Sequence, residues 1–298
     1  MKRFKKVILC SFLFSLLVSS VVTPDALAQT PDSSVNITAV NDVAIEVKSD
    51  PSLYKPNNPN EVTAQLERAY FDDTKSDSGN INKADQGGVV FSNILIPIEG
   101  SGTVRLASKI VSFIGDKPHR IDFDLHLYRG VTRGSGTYVK TCSSSLSGIL
   151  GVQVGKEITC DLSIDSTGYY FLEAKHTIKN IFGMTIGTST GQTSQYLLNR
   201  KATIYPFASD PYSGKVMTEP RADWAYTGSI DWTNKDRGDF IAEYSRRYPN
   251  NRWNWDGAFT EIHHIRPRQY GGTNDFDNLI PLEKWFHQGP VERWWDYY

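Results

Sequence analysis

Arg120-Ile121-Asp122-Phe123-Asp124-Leu125-His126-Leu127-Tyr128 alternates apolar and polar residues from its second position onward. Successive side chains of a strand point to opposite faces, so this pattern buries one face and wets the other. Working outward, residues 157–164 repeat it, with Ile158, Cys160, Leu162 and Ile164 on one side. Residues 103–113, 137–141, 169–176 and 195–204 are further candidate strands. Gly115-Asp116-Lys117-Pro118 and Asp165-Ser166-Thr167-Gly168 supply turns between them. Short alternating strands with polar turns predict an antiparallel β-sandwich over residues 89–208. His119, His126 and His176 read as ordinary strand or loop residues, and 165–169 has the form of a tight corner before a tyrosine-bearing strand.

Upstream, residues 29–88 are polar and broken by Asp50-Pro51 and by Lys55-Pro56-Asn57-Asn58-Pro59-Asn60, the composition of a linker or loosely ordered arm. A short amphipathic helix is expected near 62–71, and 37–47 could add to the following sheet. Met1-Lys2-Arg3-Phe4-Lys5-Lys6, an apolar run over 7–22 and Ala26-Leu27-Ala28 together read as a signal peptide, residues 1–28. The expectation is a secreted, extracellular protein cleaved after Ala28, with no stable membrane insertion. Removing residues 1–28 takes away four basic residues and one acidic one, moving the formal net charge from −1 to −4. A chain of that balance grips a polyanion only through a local basic cluster or a bound cation. Of three cysteines, Cys10 leaves with the signal, so Cys142 and Cys160 are expected to form one disulfide.

Composition shifts after Pro206: all seven tryptophans lie from Trp224 onward. Pro206, Pro211 and Pro220 mark the crossing, with a boundary expected across 209–221. Residues 233–247 read as a helix capped by Thr233 or Asn234, with Asp236 in its first turn and Phe240, Ile241 and Tyr244 on its apolar face. Trp253, Trp255, Trp285, Trp294 and Trp295 are expected to form a small aromatic core.

The remaining stretch runs Thr260-Glu261-Ile262-His263-His264-Ile265-Arg266-Pro267, then Gly271-Gly272, Asp277-Asn278-Leu279-Ile280-Pro281 and His287. It reads as a strand ending at the histidine pair, a Gly-Gly reversal, a second strand and a helix. This series resembles the HNH, or His-Me finger, endonucleases, in the branch of colicin- and pyocin-type DNases and polymorphic-toxin nuclease modules. The resemblance implies a small α+β ββα-metal domain over 221–298 that hydrolyses phosphodiester bonds of nucleic acid, DNA foremost. It makes His264 the general base, His263 and His287 ligands of one divalent metal ion, and Asn278 the residue that ties the loop and orients the base. Glu261 takes a positioning role in the catalytic group. Arg266 and Arg268 could contact the scissile or flanking phosphates, with plain solvated or structural roles equally open. Arg246, Arg247 and Arg252 could widen a basic patch, with plain solvated roles equally open. Mg²⁺, Mn²⁺, Zn²⁺ and Ni²⁺ all remain open as the metal.

One position departs from that branch: Val291 stands where a further metal-binding histidine is often found. If the protein is a toxin, the resemblance also implies an immunity protein as partner. Two other readings stay open: a secreted binding protein whose C-terminal unit is a structural metal module, and an RNase using the same site.

Overall fold

The computed structural model describes residues 62–72 and 86–298, all within one compact unit spanning Ser49–Tyr298. The expected signal peptide and the candidate strand at 37–47 lie outside the described residues. Among the described residues no helix is long and apolar enough to cross a membrane.

Among the described residues nine antiparallel strands make up the larger part: β1 Gln65–Asp72, β2 Gln86–Ile98, β3 Thr103–Ile114, β4 Arg120–Gly130, β5 Thr137–Ser147, β6 Glu157–Ser163, β7 Gly168–Lys179, β8 Thr185–Gln192 and β9 Tyr196–Leu198. One sheet runs β1-β2-β3-β6; the other runs β5-β4-β7-β8, with β9 also pairing with β7. The alternation in β4 sets its facing: Ile121, Phe123, Leu125 and Leu127 are fully buried, and the residues between them reach the surface. Those side chains meet Leu95, Leu106 and Leu162 of the other sheet in one cluster and Phe91 and Ile110 in another. Each fully buried side chain of this size contributes about 1.5–3 kcal/mol relative to exposure.

Residues 62–71 are not a helix. Ala69 and Phe71 enter the core while Leu66 and Tyr70 stay exposed, a period of two, and β1 pairs with β2 along its length. Sheet pairing thus overrides the helical spacing of the apolar residues. Glu67 on β1 reaches His176 on β7 (3.4 Å) and accepts from Asn93 Nδ2 (2.8 Å). His176 is fully buried, lies against Ser108 Oγ at 2.9 Å and stacks on Phe91, so a polar knot joins the two sheets.

The expected strand at 195–204 stops at Leu198. The Asn199 side chain accepts from the backbone N–H groups of Lys201 and Thr203 and turns the chain there. Cys142 on β5 and Cys160 on β6 are disulfide-bonded, tying an edge strand of one sheet to an edge strand of the other. The Tyr170 hydroxyl donates to the Ser166 carbonyl four residues back (2.7 Å), closing the corner before β7.

The C-terminal part begins with helix α1, Asn234–Arg247. Thr233 caps it: its side chain accepts from Asp236 N, and Asp236 accepts from Thr233 N in return. Phe240 and Tyr244 pack on Ile262 and Leu279. Strands β10 (Thr260–His264) and β11 (Leu279–Glu283) pair antiparallel, with His263 opposite Ile280 and His264 opposite Leu279. A helical tail follows: α2 Lys284–Phe286, a π-turn over His287–Val291, and α3 Glu292–Trp295.

Trp294 is fully buried; its indole N–H donates to Thr203 O (3.1 Å), and its own carbonyl accepts from Asn199 Nδ2 (3.1 Å). Around it Tyr169 and Leu197 of the sheet, Ile280 and Leu282 of β11, and Val291 share one apolar cluster. The last helical turn is therefore docked on the sheet that carries β7 and β9.

Candidate active site

The histidine pair sits where β10 gives out. Beyond His264 the ladder continues by one bond, Ile265 N to Asn278 O at 2.8 Å, and the chain then enters the Gly-Gly reversal. Gly271 has φ of +83°, and a side chain at Gly272 would collide with the Arg266 carbonyl. Asn278 locks the same loop: its Oδ1 accepts from Arg266 N (2.9 Å), and its Nδ2 donates to Arg266 O (3.0 Å) and Thr273 O (2.8 Å).

His263, His264 and His287 all line one open cleft of 570 Å³, together with Glu261, Glu292 and Arg268. His263 is buried, and its Nδ1 faces His287 Nε2 at 3.2 Å. Burial, with the neighbouring His287 and His264 charges adding to it, holds the His263 ring well below the usual histidine range, so it is neutral. The other face of His287 is held by Glu261, Nδ1 to Oε2 at 2.7 Å, and the second Glu261 oxygen accepts from Gln288 Nε2 (2.7 Å).

Glu292 Oε1 lies 3.6 Å from His287 Nδ1. Ligand atoms of Glu261, His287 and Glu292 all fall within 4.8 Å of one another. The π-turn explains this placement. Pro290 sits inside the turn, and Glu292 N–H bonds back to His287 O, five residues away. That extra residue puts Glu292 where an α-helix would present position 291, and Val291 turns into the core instead. A one-turn spacing rule read from sequence passes over Glu292 for this reason.

The hydrogen-bond partner of the His264 ring is Asn274, Nε2 to Oδ1 at 2.9 Å. Asn274 Nδ2 donates to Asp231 O (2.9 Å), which fixes the amide with its oxygen toward the ring. The neutral ring then carries its proton on Nε2 and keeps a basic lone pair on Nδ1. Burial, helped by the Arg268 and His287 charges and opposed by the Asn274 bond, lowers the His264 value below that of an ordinary histidine. Nothing in the sequence separates Asn274 from an ordinary turn residue.

The arginines divide. Arg268 lines the cleft and donates to Ile230 O (2.6 Å); Arg237, also on the cleft, donates to Trp255 O (2.6 Å). Arg266 turns to Tyr270 O (2.7 Å) and lies over the Trp224 ring, and it is not among the residues lining the cleft. Arg246 and Arg247 are paired with Glu243. Of the tryptophans expected in the core, Trp294 is fully buried but Trp285 is 67% exposed.

Residues 251–283 match the family model for HNH endonuclease, a stretch that includes His263, His264 and Asn278. This C-terminal domain assignment supports nuclease, and so hydrolase, chemistry on nucleic acid. HNH nucleases typically use a divalent metal. No curated protein matches the sequence. Two solved structures show low similarity. Bacteroides uniformis beta-glucuronidase 2 covalently bound to cyclophellitol-6-carboxylate aziridine is 11% identical over 52% of this chain and 17% of its own, with TM-score 0.20. Chicken MD-1 complexed with lipid IVa is 13% identical over 46% of this chain and 99% of its own, with TM-score 0.19. Neither likeness bears on the fold or function of this chain.

Proposed function

We propose that the chain is a secreted, divalent-metal-dependent endonuclease that hydrolyses phosphodiester bonds of DNA through a ββα-metal site. In this reading β10, β11 and the helical tail form that unit, and the two sheets upstream are a β-sandwich that carries it. The observation that carries the proposal is the pair of facing nitrogens, His263 Nδ1 and His287 Nε2, at 3.2 Å in the cleft that His264 also lines. Zinc–nitrogen bonds of about 2.0–2.1 Å at tetrahedral angles put two ligand nitrogens roughly 3.3 Å apart, so the pair fits one ion. Neutral imidazoles are also the ligating form, and burial keeps His263 neutral.

Glu261 fits the role of the carboxylate that orients a ligating histidine from its far nitrogen. Glu292 lies beside Glu261 on the Nδ1 side of His287, away from His263, so the remaining positions of an ion between His263 and His287 fall to water and substrate phosphate. An ion held there supplies charge neutralisation on the phosphate and its leaving oxygen. His264 removes a proton from the attacking water through Nδ1, while Asn274 holds the proton on Nε2. Because His264 is held below an ordinary histidine, it stays neutral and able to act as base at mildly acidic pH. Arg268 presents its charge in the cleft for a flanking phosphate.

Secretion rests on the amino-terminal sequence and fits an extracellular scavenging role or an antibacterial one; a cognate immunity protein is implied by the family resemblance only in the second case. The test is digestion of plasmid DNA and of RNA with Mg²⁺, Mn²⁺, Ni²⁺ or Zn²⁺, beside a His264→Ala control. Metal-dependent nicking of the plasmid by the parent and not by the variant is expected. Equal nicking by both, or none by either, sinks the reading; cleavage of RNA alone replaces DNA with RNA as the substrate.

A further inference from the structure

A second cleft, 400 Å³ in volume, adjoins the histidine cleft, and Thr260 lines both. Its walls are aromatic: Tyr212, Trp253, Phe259 and Trp285, joined by Arg252. Phe259 is 60% exposed and Trp285 67%, so two large rings face solvent although a core of tryptophan and tyrosine lies nearby. Exposed rings of this size forgo the stabilisation that burial would bring, which favours a use outside folding.

The wall is held in place. Asp210 is 1% exposed, and its carboxylate accepts from the backbone N–H groups of Tyr212 and Ser213 at 3.2 Å each and from the Trp253 indole N–H at 3.1 Å. The hydroxyls of Ser213 and Tyr244 donate to it as well. Trp285 donates its indole N–H to Glu283, which occupies the one acidic side chain lining the cleft. Arg252 is exposed and makes no hydrogen bond or ion pair among the described residues, so its charge is free for an anion.

Fixed aromatic faces beside a free guanidinium suit a base that is already out of a helix: the ring stacks, and the adjoining phosphate meets the cation. Bases stacked within a duplex offer no such face. We infer that this cleft takes up an unpaired base of the strand being cut, so that single-stranded nucleic acid binds in preference to duplex. The inference rests on the nuclease reading above. Thr260 lines both clefts, so a base held against Trp285 is next to the hydrolytic cleft.

The test uses the full chain bearing His264→Ala, with a labelled oligo-dT, a duplex of equal length and an abasic strand of equal length, read by fluorescence anisotropy. Adding Trp285→Ala is expected to weaken oligo-dT binding about tenfold and Trp285→Phe to restore most of it. Duplex and abasic strand are expected to bind more weakly, and to do so regardless of position 285. Equal oligo-dT affinity with and without Trp285→Ala, or no measurable oligo-dT binding by the parent, overturns the inference. The nuclease reading falls separately, if the unsubstituted chain cleaves neither single nor double strands in any of the metals.

Discussion

Strands β3, β4 and β7 run 12, 11 and 12 residues, whereas β10 and β11 have five each. Long strands satisfy their own backbone through the ladder and leave side chains free to fill the core. The short pair cannot, and there side chains take over the backbone's bonds. Arg237 caps Trp255 O, Arg268 caps Ile230 O, Arg266 caps Tyr270 O, Lys215 caps Leu279 O, and Asn278 and Asn274 cap three more carbonyls. Basic residues that look available for a polyanion are thus partly committed to holding loops, and a count of arginines overstates the phosphate-binding surface. The sheets are stabilised by apolar area and a disulfide; the C-terminal unit is stabilised by polar capping, aromatic packing and, on the proposed reading, an ion.

That contrast can be broken or sharpened by substitutions. His264→Ala should lower cleavage by about 10²–10⁴-fold and cost only about 1–2 kcal/mol in urea unfolding, since the buried ring bonds Asn274 and packs edge-on against Trp232. Trp294→Ala should destabilise by about 3–5 kcal/mol in urea unfolding followed by fluorescence and circular dichroism. Both regions should respond, because Trp294 belongs to the shared cluster; a loss confined to one of them would mean the cluster does not couple them. Replacing Cys142 and Cys160 together by serine should cost about 3 kcal/mol by loop closure, with cleavage retained wherever the chain remains folded. Glu261→Gln should reduce metal affinity about 10–100-fold in a metal titration of cleavage, the smallest of these effects and one without consequence for the sheets.

The strands that can be read from sequence are those in which one face is apolar throughout, as β4 and β6 are. β1 escapes because its inward face carries Glu67, tied to a buried histidine, and because Leu66 and Tyr70 point to solvent. β8 escapes because Thr185–Gln192 is mostly threonine, glycine and serine, with Ile186 its one apolar side chain and no residue fully buried. At the candidate site the histidines, Asn278 and the glycines stand in a recognisable order in the sequence. Asn274 and Glu292 do not, since one acts through a turn amide and the other through a helix register altered by Pro290. Trp285 was expected in the core by residue type, and only the fold shows that its neighbours leave it outside.

The docking of Trp294 on the sheet has a consequence for the order of events as the protein is made. Asn199 and Thr203 reach Trp294 across 95 and 91 positions, and Arg200 reaches Tyr297 across 97. The sheet ladders close over shorter spans, the β3–β6 and β4–β7 pairings joining positions about 60 residues apart or fewer. A chain emerging from its N-terminal end can therefore complete its sheets while His287 and its helical tail are still being delivered. Hydrolytic competence then arrives late, after the scaffold that receives the tail is already standing.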